Sequence, residues 1–147
     1  MQVKELGHVV LYVRDLARSR AFYRDVLGFP EIVATPSIAA YSTPRTHHEL
    51  LLIEVGPNAA ALPHGRRVGM YHFGLKVGDS DDELRQAVDD LEEAGVAIIG
   101  ATDHTVSHSL YIADPDGNEI ELYIDVQPEI WRDNPTAVVA PPRPLRL

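Results

Sequence analysis

The sequence predicts an α+β fold made of two related halves, each running strand, helix, strands. Three observations predict it. The first is an internal repeat. Gly7-His8-Val9-Val10-Leu11-Tyr12-Val13-Arg14-Asp15 aligns with Tyr71-His72-Phe73-Gly74-Leu75-Lys76-Val77-Gly78-Asp79, an offset of 64. The segments closing on Leu27-Gly28-Phe29 and Ala94-Gly95-Val96 align at 67, as do Ile53-Glu54-Val55 and Ile120-Glu121-Leu122. The second is apolar–polar alternation in the paired segments, the signature of strands with one covered face. The third is a helix-start and helix-stop signal in each half.

Taken in order, residues 8–13 predict a strand with Val9, Leu11 and Val13 on one face and His8, Val10 and Tyr12 on the other. A helix follows over about 16–27. Asp15 is its N-cap, Leu16, Phe22, Tyr23, Val26 and Leu27 its apolar set, and Gly28 its stop. Residues 56–68, GPNAAALPHGRRV, link the halves. In 72–77, Phe73, Leu75 and Val77 oppose His72, Gly74 and Lys76. Ser80 and Glu83 then form a capping box before Leu84, Ala87, Val88 and Leu91, and Gly95 ends that helix. Asp114-Pro115-Asp116-Gly117 predicts a type I turn joining strand 107–113 to strand 118–125. In 119–124, Ile120, Leu122 and Ile124 oppose Glu119, Glu121 and Tyr123. The organisation is thus one domain over 1–125, with modules at about 5–55 and 69–125. A tail over 126–147 holds five of the eleven prolines. It shows no periodicity and is expected to wrap the surface or contact a partner chain, with Trp131 as its anchor.

Composition narrows the chemistry. The 147 residues carry 22 acidic and 13 basic side chains, a formal net charge of −9. That disfavours a nucleic-acid surface, which needs a basic face, and binding to anionic membranes. The absence of cysteine excludes zinc-thiolate sites, iron–sulfur clusters and thiol nucleophiles. Any metal must be held by His and carboxylate. No secretory signal or membrane-spanning run is visible, so a cytoplasmic location is expected. There is no nucleophile elbow, phosphate loop or dinucleotide fingerprint, and Arg66-Arg67 is too short for a basic patch.

The candidate site follows from the repeat. His8 and His72 open equivalent strands, and Glu54 and Glu121 fall in the closing strands. A lone strand His is usually structural, and a lone strand Glu usually solvated. Their repetition points instead to an N/O metal site suited to Fe(II), Mn(II), Ni(II), Co(II) or Zn(II). Alternation puts His48 on the strand face of Leu50, Leu52 and Glu54. His47 and His64 read as surface residues.

The segments LGHVVLYVRDLARSRAFYRDVLGF (6–29), YHFGLKVGD (71–79) and YIADPDGNEIELY (111–123) resemble the vicinal oxygen chelate superfamily of glyoxalases, bleomycin resistance proteins and extradiol dioxygenases. The resemblance covers about residues 5–125 and is nearest to the catechol 2,3-dioxygenase-like enzymes. It implies paired βαβββ modules forming a curled mixed sheet around one metal, with His8, His72 and Glu121 as ligands. Thr46-His47-His48-Glu49 resembles the His-His segment of the extradiol enzymes, which implies His48 as acid–base. Tyr111, ten residues before Glu121, and Asp103-His104 resemble their hydrogen-bonding elements, although the His104–Tyr111 interval is shorter; His108 is the alternative to His104. The activity so implied is extradiol cleavage of a small aromatic diphenol with O2, using Fe(II), with Mn(II) as substitute, in a homodimer. Two alternatives stand beside it. One is a glyoxalase-type lyase or epimerase with Glu54 as fourth ligand; the other is a non-catalytic drug-binding protein.

Overall fold

In the computed structural model, which describes residues 1–147, the chain divides into two compact units, Met1–Leu62 and Pro63–Leu147. In the first, β1 (Val9–Val13) runs parallel to β4 (Leu50–Glu54), which pairs antiparallel with β3 (Ile38–Tyr41), and that with β2 (Glu31–Ala34). The order is β1-β4-β3-β2. The connection from β1 to β2 is helical. α1 (Leu16–Arg20) widens into a π-helical turn over Ala21–Val26, where the Leu27 N–H reaches back five residues to the Phe22 carbonyl. The adjacent Phe22 and Tyr23 are both buried there. The predicted helix 16–27 is therefore present but not uniformly α. Gly28 closes it at φ 64°, a conformation that a Cβ disfavours.

The second unit repeats the βαβββ order. β5 (His72–Gly78) runs parallel to β8 (Glu119–Asp125), which pairs antiparallel with β7 (Ser107–Ala113), and that with β6 (Gly100–Asp103). Between β5 and β6 lies α2 (Asp81–Glu93). The capping box is formed: Ser80 Oγ accepts the Glu83 N–H, and Glu83 Oε2 accepts the Asp79 N–H. The Asp114–Gly117 turn closes with the Gly117 N–H on the Asp114 carbonyl. In each unit one sheet face is apolar and covered by its helix: Leu11, Val13, Leu50 and Leu52 in the first, Leu110, Ile112, Ile120, Leu122 and Ile124 in the second, all 5% exposed or less. The mixed α+β architecture is the one the sequence predicts.

The tail carries more regular structure than its lack of periodicity suggests. It forms α3 (Pro128–Asp133), a 3₁₀ turn over Pro135–Val139, and β9 (Arg143–Pro144), which pairs antiparallel with β6 and belongs to the second unit. Arg143 adds an ion pair to Asp103 at 2.9 Å. Trp131 remains 36% exposed rather than buried as an anchor. No helix is long and apolar enough to cross a membrane.

Candidate functional site

The second unit concentrates its polar chemistry on the sheet face opposite α2. Alternation along β5 and β8 puts His72, Gly74, Glu119 and Glu121 on that face, and Tyr111 joins them because it sits directly opposite Glu121 in the β7–β8 ladder. His72 Nε2 lies 3.3 Å from Glu121 Oε2, and its Nδ1 lies 3.5 Å from Glu119 Oε1. The Tyr111 hydroxyl donates to Glu121 Oε1 at 3.2 Å and contacts His104 Nε2 at 2.7 Å. A tyrosine has one proton to give. With it on Glu121, His104 must be the Nε2–H tautomer and donate to the phenol oxygen. Burial and the Glu121 charge push the Tyr111 hydroxyl well above its ordinary pKa, so it stays a donor.

Gly74 is part of the construction. It pairs with Glu121, and a Cβ there would lie 3.2 Å from the Tyr123 ring and 3.7 Å from Glu121 Oε2. The donor set also fits a divalent ion. Two ligands at right angles, each about 2.1 Å from one ion, stand ~3 Å apart, close to the 3.3 Å between His72 Nε2 and Glu121 Oε2. His72 Nδ1 is buried without a hydrogen-bond partner. His108, the alternative to His104, is engaged elsewhere: its Nδ1 lies 2.6 Å from Asp81 Oδ1 at the start of α2.

The first unit brings three histidines together. The His8 ring lies 4.4 Å from that of His48 and 5.6 Å from that of His47, centroid to centroid. One ring nitrogen from each lies within 4.8 Å of the others. His47 is exposed, as its surface reading expects, and is also a member of the cluster. Adjacency to His48 was the only signal for it. His48 Nε2 is buried and has no hydrogen-bond partner. Burial, then the neighbouring His47 and His8, hold the His48 pKa below its ordinary value. Strand alternation does not extend to His48. Leu50 and Leu52 face the core, whereas His48 precedes β4 and turns to His8.

The register changes the place of Glu54. With Val9 equivalent to Phe73, the partner of Val10 is Leu51 and the partner of Gly74 is Glu121. The first-unit counterpart of Glu121 is therefore Leu51, and Glu54 lies three residues further along, opposite Val13. Its carboxylate faces the helix side, where Oε2 accepts the Leu16 N–H at 2.7 Å. The sequence alignment of Ile53-Glu54-Val55 with Ile120-Glu121-Leu122 is three residues out of step with the strand pairing.

The profile of the Glyoxalase/Bleomycin resistance protein/Dioxygenase superfamily matches residues 5–122. The chain is 39% identical over 127 residues to a protein of Bacillus subtilis named catechol-2,3-dioxygenase, covering 86% of this chain and 44% of that one. It is 34% identical over 125 residues to biphenyl-2,3-diol 1,2-dioxygenase 3 of Rhodococcus globerulus, covering 82% and 63%. The chain thus spans between about two-fifths and two-thirds of the length of these relatives. Among solved structures it is similar to a lactoylglutathione lyase from Agrobacterium tumefaciens, with a TM-score of 0.64 and 26% identity over 84% of this chain and 95% of that one. On the profile match and these relatives, the chain belongs to the glyoxalase/bleomycin resistance protein/dioxygenase superfamily.

Proposed function

We propose that the protein is a metal-dependent extradiol dioxygenase that opens the ring of a catechol-type diphenol with O2. The observation that carries this reading is the commitment of Glu54 to the Leu16 N–H, with Leu51 at the register position matching Glu121. A four-ligand glyoxalase-type site needs a carboxylate there. A three-ligand site of two His and one Glu does not, and it suits Fe(II) with open positions for substrate.

The ligands proposed are His8 of the first unit with His72 and Glu121 of the second, within one chain or across two in a homodimer. Fe(II) is the metal proposed, with Mn(II) as substitute; Ni(II), Co(II) and Zn(II) suit the same donors. Such an ion supplies a Lewis acid for the phenol and a redox centre for O2. The chain's own residues then move and hold protons. With its pKa held below the ordinary value, chiefly by burial, the His48 imidazole takes the proton of a substrate hydroxyl and later returns it. Tyr111, kept protonated, holds Glu121 by a hydrogen bond and is itself held by His104; the pair orients the substrate oxygens.

The similarity to a lactoylglutathione lyase supports a second reading, a lyase or isomerase, which requires Glu54 to leave α1 and ligate. The deciding experiment is O2 uptake by anaerobically Fe(II)-loaded protein against a panel of catechols. Uptake with a yellow ring-opened product, lost in His48→Ala, is expected. Tight metal binding with no uptake on any catechol contradicts the dioxygenase.

A further inference from the structure

The sheet face that carries Glu121 does not end at the hydrogen-bonded group around it. Along β8 the same alternation puts Tyr123 and Asp125 on that face after Glu121. The C-terminal segment stands beside them. A cleft of about 230 Å³ is lined by Glu121, Tyr123 and Asp125 of β8, by Trp131 of α3 and Val138 of the 3₁₀ turn, and by Val106 and Ser107. Trp131 is 36% and Val138 58% exposed, although both line a concavity. The Arg132 guanidinium lies 5.2 Å from the indole centroid and steadies that ring.

Three features define what this cleft takes. It is smaller than the ~300 Å³ at which drug-sized pockets begin, so it suits one ring or a short alkyl group. Its tail-side wall and Val106 are apolar. Its ionised groups do not invite an anion: Glu121 is a carboxylate, and Asp125 is already paired with Lys76 Nζ at 3.0 Å. Glu121 belongs both to this cleft and to the proposed ligand set, so a diphenol held at that set lies next to the cleft mouth.

We propose that the C-terminal segment walls a subsite for a neutral apolar substituent of the substrate ring, with Trp131 as its specificity-determining residue. This rests on the diphenol reading above. It gives the segment a role in binding substrate that neither the family profile, which ends at residue 122, nor the sequence repeat contains.

Trp131 is the single tryptophan of the chain, so its emission reports on the cleft directly. The full chain, loaded anaerobically with Fe(II), is titrated with catechol, 4-ethylcatechol and 3,4-dihydroxybenzoate, by fluorescence and by calorimetry. The ethyl compound is expected to bind about tenfold tighter than catechol, from the burial of two carbons, with a saturable change in Trp131 emission. The carboxylate compound is expected to gain nothing over catechol. Trp131→Ala is expected to erase the ethyl preference while catechol affinity stays within about threefold. Trp131→Phe, which keeps an aromatic wall, is expected to retain most of the preference. An ethyl preference that survives Trp131→Ala, or emission that stays flat while calorimetry shows saturation, overturns the subsite. Failure of the dioxygenase reading looks different. Ethylcatechol would then bind with the Trp131 signal and no O2 would be consumed, which leaves the subsite standing.

Discussion

The two units lay down the same lattice of strand positions and fill it with opposite chemistry. In the second, Gly74, Glu121 and Tyr111 stand side by side across β5, β8 and β7. The positions that correspond in the first are Val10, Leu51 and Ala40 across β1, β4 and β3. One unit holds a carboxylate oriented by a tyrosine. The other is apolar at the same points and gathers its polar groups at the strand ends, as His8, His47 and His48. A repeat therefore conserves backbone more strictly than chemistry. A glutamate on a closing strand is held by a tyrosine in one half and is a helix-end partner in the other.

That contrast can be broken in several ways. The largest effect is expected from Glu121→Ala, which removes the only carboxylate of the proposed ligand set and should abolish both Fe(II) binding and ring cleavage, read by metal analysis and O2 uptake. Retained iron would show that Glu121 is not a ligand. His48→Ala is expected to lower kcat by about 10²–10⁴-fold with iron still bound. The pH profile sharpens this. A histidine whose pKa is held down by burial stays neutral until the pH falls below its ordinary value of about 6.5. The acid limb of the wild-type kcat profile should thus lie below that value and vanish in His48→Ala. The same sign governs stability. The unfolded chain takes up the proton more readily, so the stability that neutral His48 contributes is present above pH ~6.5 and is lost as the pH falls. Chemical denaturation across that range should show the loss, and His48→Ala should lessen it. Tyr111→Phe removes the hydroxyl between Glu121 and His104 and is expected to cost about 10–100-fold in iron affinity or activity. An unchanged enzyme would reduce Tyr111 to packing.

How much of this was legible in the sequence differs by element. The helices and the β7–β8 hairpin were legible because their signals are local: Ser80 with Glu83, and Asp114-Pro115-Asp116-Gly117, act within a few residues. The grouping of Tyr111 with Glu121 came from the resemblance to the extradiol enzymes, and the tight turn between the two strands fixes the register that brings them opposite each other. The place of Glu54 was not, because β1 and β4 are parallel and 36 residues of chain separate them (14–49). Nothing local fixes the register of such a pair, and a similarity of Ile-Glu-apolar triplets gave a match three residues out of step. His48 was misjudged for a related reason: alternation holds only inside a strand, and β4 begins two residues later, at Leu50. The elements of the tail were not legible because its short helical turns have no period to detect, and β9 has only two residues.

The smallest expected effect is also the most direct test of the account. Glu54→Ala, measured for Fe(II) affinity, O2 uptake with catechol and unfolding free energy, separates a helix-end partner from a ligand. The account predicts unchanged iron affinity and unchanged uptake, with a loss of about 1 kcal/mol in stability from the N–H left without its acceptor at the start of α1. Loss of iron from Glu54→Ala would contradict it and return the site to four ligands.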